Sequence, residues 1–156
     1  MNGSSLILDA SLLVLFIVGS TRRDLVGRHK RLKAFTMEDF DLLRRLIVLA
    51  PQVIVTPNTL TEASNLISQI DEPARTQIRE TFRQVIGATE EEYVPSLVAA
   101  SAGHFLRLGL TDVALMHLIS GSRWLLTTDL DLYLAAVQSG AEAVNFNHLR
   151  EQAGAQ

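Results

Sequence analysis

The sequence predicts a single α/β domain, a parallel sheet of four or five strands with helices on both faces. Two observations carry this prediction. Short, nearly continuous apolar runs at residues 5–8, 53–56 and 124–128 have the composition of strands buried on both sides. Longer stretches with apolar residues at helical spacing separate them, so each strand is followed by a crossover that returns the chain for parallel pairing. A length of 156 residues matches one hydrophobic core. The domain is expected to span residues 1–148, with 149–156 as a C-terminal tail.

Residues 5–8 end on Asp9, and an apolar helix follows to about residue 18. Residues 19–35 are polar, basic and interrupted by Gly27, which reads as a loop with a helical turn. Thr36 is a hydroxyl cap for acidic first-turn residues, and Phe40, Leu43, Leu46 and Ile47 recur at helical spacing until Pro51. The β-branched residues 53–56 lie between Pro51 and Pro57 and read as the second strand; the helix after it carries Leu60, Glu62, Leu66, Ile67 and Ile70. Pro73 opens a helix whose stripe of Ile78, Phe82, Val85 and Ile86 runs to Gly87. Residues 90–93 read as a connection. Residues 95–108 read as one further helix closed by Gly109, in which Ala99, Ala100, Ala102 and Gly103 predict close helix packing. Thr111 and Asp112 open a helix through Ile119, and the third strand, 124–128, runs into Asp129. A helix stopped by Gly140, a fourth strand at 143–146 and a terminal turn or tail at 148–152 complete the chain.

Composition narrows the chemistry. Cysteine is absent, which removes disulfide frameworks, thiolate zinc sites and cysteine nucleophiles and fits a cytoplasmic setting. The apolar run at 11–19 lacks a basic leader and is too short to span a bilayer, so no membrane association is expected. No glycine-rich phosphate loop and no Gly-x-Ser-x-Gly elbow is present. The net charge of −3 argues against a uniformly basic coat for nucleic acid. Yet six of the 14 Lys and Arg residues, Arg22, Arg23, Arg28, Lys30, Arg31 and Lys33, fall in one segment. That segment is either a solvated loop or a phosphate-binding surface.

Four acids fall where a parallel sheet gathers its ligands. Asp9 ends the first strand, Glu62 follows the second, Asp129 ends the third, and Asp112 opens the helix leading into the third. Read singly, Asp9 and Asp112 serve equally as helix-terminal residues, and Glu62 as an ordinary helix glutamate. Gathered together, the carboxylates repel and raise one another's pKa unless a cation neutralises them. An all-oxygen set suits Mg²⁺ or Mn²⁺ rather than zinc, with Ser11 and Thr128 as spare oxygen donors. His29, His104, His117 and His148 share no ligand spacing. Trp124, Phe105 and Tyr133 read as core or strand-edge residues rather than a base-stacking platform.

The segments Leu6-Ile7-Leu8-Asp9-Ala10-Ser11, Thr61-Glu62-Ala63, Leu110-Thr111-Asp112-Val113-Ala114 and Leu126-Thr127-Thr128-Asp129-Leu130-Asp131 resemble, in order and spacing, the four acidic motifs of PIN domains. The similarity covers essentially the whole chain and extends to the small ribonucleases that act as toxins in VapC-type toxin-antitoxin pairs. It implies that Asp9, Glu62, Asp112 and Asp129 are the catalytic, metal-holding acids, with Asp131 an outer member and Ser11 and Thr128 supporting hydroxyls. It also implies Mg²⁺- or Mn²⁺-dependent cleavage of RNA by a homodimer that an antitoxin protein inhibits. The gap between the first two motifs, which holds the basic segment, is long for the smallest toxins, so the resemblance is closer to the domain than to that subgroup. A PIN nuclease of RNA processing and a noncatalytic PIN-like interaction module are the competing readings.

Overall fold

The computed structural model describes residues 3–154; residues 1–2 of the expected domain and 155–156 of the expected tail lie outside the described residues. In chain order the elements are β1 (Ser5–Leu8), α1 (Ala10–Thr21), two short 3-10 helices (Arg23–Gly27 and Lys30–Leu32), α2 (Met37–Leu49), β2 (Val53–Val55), α3 (Pro57–Ile67) and α4 (Ala74–Ala88). They continue with β3 (Glu90–Glu91), α5 (Ser96–Ala100), α6 (Phe105–Leu108), α7 (Leu110–Leu118), β4 (Arg123–Thr127), α8 (Leu130–Gln138), β5 (Ala143–Asn145) and α9 (Phe146–Gly154).

Successive strand side chains point to opposite faces, and here both faces are apolar. Leu6, Leu8, Val55, Trp124 and Leu126 join one buried cluster with residues of α1 to α4. Ile7, Ile54 and Leu125 join a second with residues of α5, α7 and α8. That double burial is why the strands read as continuous apolar runs rather than alternating ones. α1 packs at once on α2, α3, α4 and the first 3-10 helix, which is why it is apolar around its whole circumference. Among the described residues, no helix is long and apolar enough to cross a membrane.

All five strands are parallel, in the order β3-β2-β1-β4-β5. The chain steps outward from β1 through β2 to β3, then crosses to the other side of β1 to lay down β4 and β5. Sequence direction therefore reverses between β1 and β4, and the crevice beyond their carboxyl ends is where open α/β sheets take ligands.

Local details differ from the sequence reading in four places. Residues 90–91, read as a connection, form the edge strand β3, paired to Ile54 and Val55; two exposed glutamates give no apolar signal, and charge on a sheet edge discourages pairing with another chain. The single helix expected over 95–108 is broken into α5 and α6. Ser101 Oγ turns back to Leu97 O at 2.7 Å, and Gly103 adds backbone entropy to the break. Close packing by the small residues holds for buried Ala99 alone, because Ala100, Ala102 and Gly103 are exposed. Finally, residues 149–154, read as tail, continue α9: Leu149 packs against the first core cluster, and Arg150 reaches Asp39 at 2.5 Å and the Ala34 carbonyl at 2.6 Å.

Candidate active site

Register fixes the first acid. Leu8 stands opposite Leu126, so Asp9, one residue on, is level with Thr127 across the β1–β4 crevice. Its backbone N–H still follows the ladder, donating to Leu126 O at 3.4 Å. Its side chain is buried and caps α1, accepting from Leu12 N at 3.0 Å. Oδ1 also accepts from Ser11 Oγ at 3.1 Å, while Oδ2 accepts from Thr128 N at 3.0 Å and from the Thr127 hydroxyl. Four donors thus fill the roughly four lone-pair directions of one carboxylate. Ser11 spends its single proton on Asp9, so Thr128 Oγ1, 2.9 Å away, is the donor of the pair.

Asp129 is built in a parallel manner at the end of β4. It caps α8 through Leu132 N at 2.9 Å, and its own N–H donates to Thr127 Oγ1 at 3.0 Å. Thr127, fully buried, therefore ties the two strand-end acids together. In the sequence Thr128 is the hydroxyl that stands out; the one local sign of Thr127 is its place as the last residue of a buried strand, and the register with β1 sets it beside Asp9.

Glu62 lies on α3 and Asp112 in the first turn of α7. The two helices pack together, and Glu62 and Thr111 line one open groove of about 460 Å³ with Asn58, Thr61 and Asn65. The electrostatics link all four acids. Burial raises the Asp112 carboxyl to about 7, reinforced by the charges of Asp129, Asp9 and Glu62. Glu62 is pushed up by partial burial and then by Asp9. Asp9 is raised by burial against the opposing pull of Thr127, Leu12, Thr128 and Ser11. Opposite-sign charge at this edge would relieve every one of these elevations.

The remaining residues singled out in the sequence sort differently. Asp131 is exposed and faces Arg107 at 3.7 Å, contributing to none of these shifts. Arg22 is paired with Asp24 at 3.1 Å, Arg23 with Asp41 at 2.7 Å, and Arg28 more loosely with Asp24 at 3.9 Å. Arg31 binds Gln69 at 2.7 Å, and Lys30 and Lys33 are exposed. Tyr133 meets His148 edge-on with ring centroids 5.6 Å apart. As the side chains stand, no group of three or more His, Asp or Glu among the described residues is arranged to hold a metal ion; the Asp9 carboxylate is turned to its own hydrogen bonds. The donor chemistry of the edge nevertheless fits a hard cation, being all oxygen and electrostatically under-compensated.

No family model matches the sequence, and no curated protein is similar to it. Among solved structures, the chain is similar to a domain of a functionally unknown protein from Methanocaldococcus jannaschii DSM 2661, with 16% identity over 91% of this chain and 90% of that one and a TM-score of 0.44.

Proposed function

We propose that this chain is a metal-dependent endoribonuclease of the PIN type. The observation that supports it is the Asp112 carboxyl, lifted to about 7 by burial and then by the charges of Asp129, Asp9 and Glu62, at the crevice where strand order reverses. These four side chains would hold Mg²⁺ or Mn²⁺. When bound, such a cation activates water, orients the scissile phosphate and stabilises the leaving oxygen. The protein's own part is preparatory. Thr127 and the Thr128 N–H fix one oxygen of Asp9, while the other stays anchored by the Leu12 N–H and would gain a free acceptor direction when the Ser11 hydroxyl rotates away. Asp112 carries a proton for much of the time near neutral pH and gives it up as a cation arrives. The toxin role, the homodimer, the antitoxin partner and the cytoplasmic location belong to the same proposal and rest on the motif resemblance alone.

A second reading, a noncatalytic interaction module, is favoured by one feature: all four acceptor positions of Asp9 are already filled, as in a purely structural cap. Incubation with single-stranded RNA separates the two. The nuclease cuts in Mg²⁺, stops in chelator, and is disabled by Asp112→Asn and Glu62→Gln. Absence of cutting by the unaltered protein, or cutting that persists in chelator and in both variants, overturns the metal-dependent reading.

A further inference from the structure

The basic segment divides in two when its partners are followed. Arg22 and Arg23 are cancelled by carboxylates and Arg28 shares Asp24 only loosely, at 3.9 Å, whereas Arg31 meets an uncharged acceptor at the α3–α4 connection. Arg31 Nε donates to Gln69 Oε1 at 2.7 Å. From α4, Arg75 Nε donates to Ile70 O at 2.9 Å, and Arg79 donates through Nε and Nη2 to Ser68 Oγ at 3.1 and 3.0 Å. A neutral acceptor fixes a guanidinium without cancelling its charge, and in Arg31 and Arg75 the terminal nitrogens remain for another acceptor. Lys30 makes no ion pair among the described residues. Arg28, Lys30, Ser68, Gln69, Asp71 and Arg75 line a cleft of about 430 Å³.

The cleft itself holds Arg28, Lys30 and Arg75 against the single carboxylate of Asp71; Arg31 and Arg79 reach its lining residues Gln69 and Ser68, while Asp24 partly offsets Arg28 and Glu72 partly offsets Arg75 and Arg79. Glu72 is itself engaged by Thr76, at 2.7 Å from the backbone N–H and 2.5 Å from the hydroxyl. The carbonyls of Ile67 and Ile70, which would repel an anion, are occupied by His29 and Arg75. The cleft also has a direction. Asn58, Glu62 and Asn65 succeed one another at helical spacing along α3, and Gln69, just past its end, continues the stripe. At about 1.5 Å per residue, Glu62 and Gln69 are separated by about 10 Å along that axis.

We infer that this cleft is a phosphate-binding exosite for a single-stranded nucleic acid, whose chain lies along the amide and hydroxyl stripe of α3 between the cleft and Glu62. The inference deepens the nuclease reading by assigning the strand a path. It uses cations from α4, which lie more than 40 residues from the basic segment in sequence. Phosphodiester phosphates of a strand and free inorganic phosphate present the same chemistry, so the test separates them.

The test is equilibrium binding of a fluorescent single-stranded RNA to the full chain in chelator, titrated against salt, for Lys30→Glu, Arg75→Glu and the control Arg45→Glu on α2. Lys30→Glu and Arg75→Glu are each expected to weaken binding about tenfold and to flatten the log–log salt dependence by about 0.7 per lost phosphate contact. Arg45→Glu binds as the unaltered protein does, and inorganic phosphate at matched phosphate concentration competes poorly. Unchanged binding in Lys30→Glu, whose exposed side chain makes no hydrogen bond or ion pair among the described residues, overturns the exosite. Displacement by inorganic phosphate as effective as by unlabelled strand overturns the strand assignment. Because binding is read without hydrolysis, a protein that binds in this way yet never cuts RNA would refute the nuclease reading and leave the exosite standing.

Discussion

Replacing Asp112 by Asn should make the metal-free protein more stable, although it removes a charged residue from a candidate catalytic edge. In the folded chain the Asp112 carboxyl rises from 3.8 to about 7 through burial and the charges of Asp129, Asp9 and Glu62. That rise corresponds to at most about 4 kcal/mol of unfavourable ionisation. Screening of a partly exposed side chain reduces the expected figure to about 2 kcal/mol. A carboxyl whose folded pKa is raised lends full stability below its unfolded value, near 4, and loses it as pH rises through about 7. The gain from Asp112→Asn is therefore largest at about pH 8, where it should raise the melting midpoint by about 4–8 °C for a chain of this size, and it should shrink toward zero as pH falls to about 4. Differential scanning calorimetry in chelator at several pH values measures it. An unchanged or lowered midpoint at about pH 8 would refute the claim that burial and the neighbouring carboxylates together raise the Asp112 carboxyl.

Three further substitutions probe the surroundings. Thr127→Val removes the hydroxyl that donates to Asp9 and accepts from Asp129 N, so denaturant unfolding should show a loss of about 1–3 kcal/mol, with Thr127→Ser retaining most of it. Gly19→Ala places a Cβ in α1 against the Phe40 ring, 2.6 Å from Cγ and Cε2. The overlap should cost about 1–3 kcal/mol, outweighing the helix-propensity gain of about 1 kcal/mol, and a rise in midpoint would contradict it. His29 is held neutral: burial lowers its pKa, as do the charges of Lys30 and Arg31, against the pull of the Ile67 carbonyl. Its folded pKa lies below the unfolded value near 6.5, so stability present above that pH is lost as pH falls through it toward the folded value. The stability difference between the unaltered protein and His29→Gln should narrow over that fall, and a difference independent of pH would show that His29 titrates normally.

The parts of the fold legible in the sequence are those set by local chemistry. Residues 6–8, 53–55 and 124–126 are apolar because both faces of each strand are covered, and Thr36 with Asp39 forms the capping box that their spacing predicts. Asp9 and Asp129 were legible for a related reason: each stands where an apolar strand gives way to a helix. Features fixed by distant partners were not legible. β3 exists through backbone pairing of two glutamates with β2, and α9 is anchored by Arg150 on Asp39, more than 100 residues earlier in the chain. Thr127 gained its role only once register set it beside Asp9. The division of the basic segment into cancelled and uncancelled cations depended on Gln69, Arg75 and Arg79, which no local pattern connects to it.

The most direct measurement of the central claim is the melting midpoint of the unaltered protein in chelator and in millimolar Mg²⁺, beside Glu62→Gln and Asp112→Asn. Binding to the folded state alone must raise the midpoint. The four-carboxylate edge predicts a Mg²⁺-dependent rise in the unaltered protein that is lost in both variants. A midpoint indifferent to Mg²⁺, or a rise of equal size in all three proteins, would contradict it.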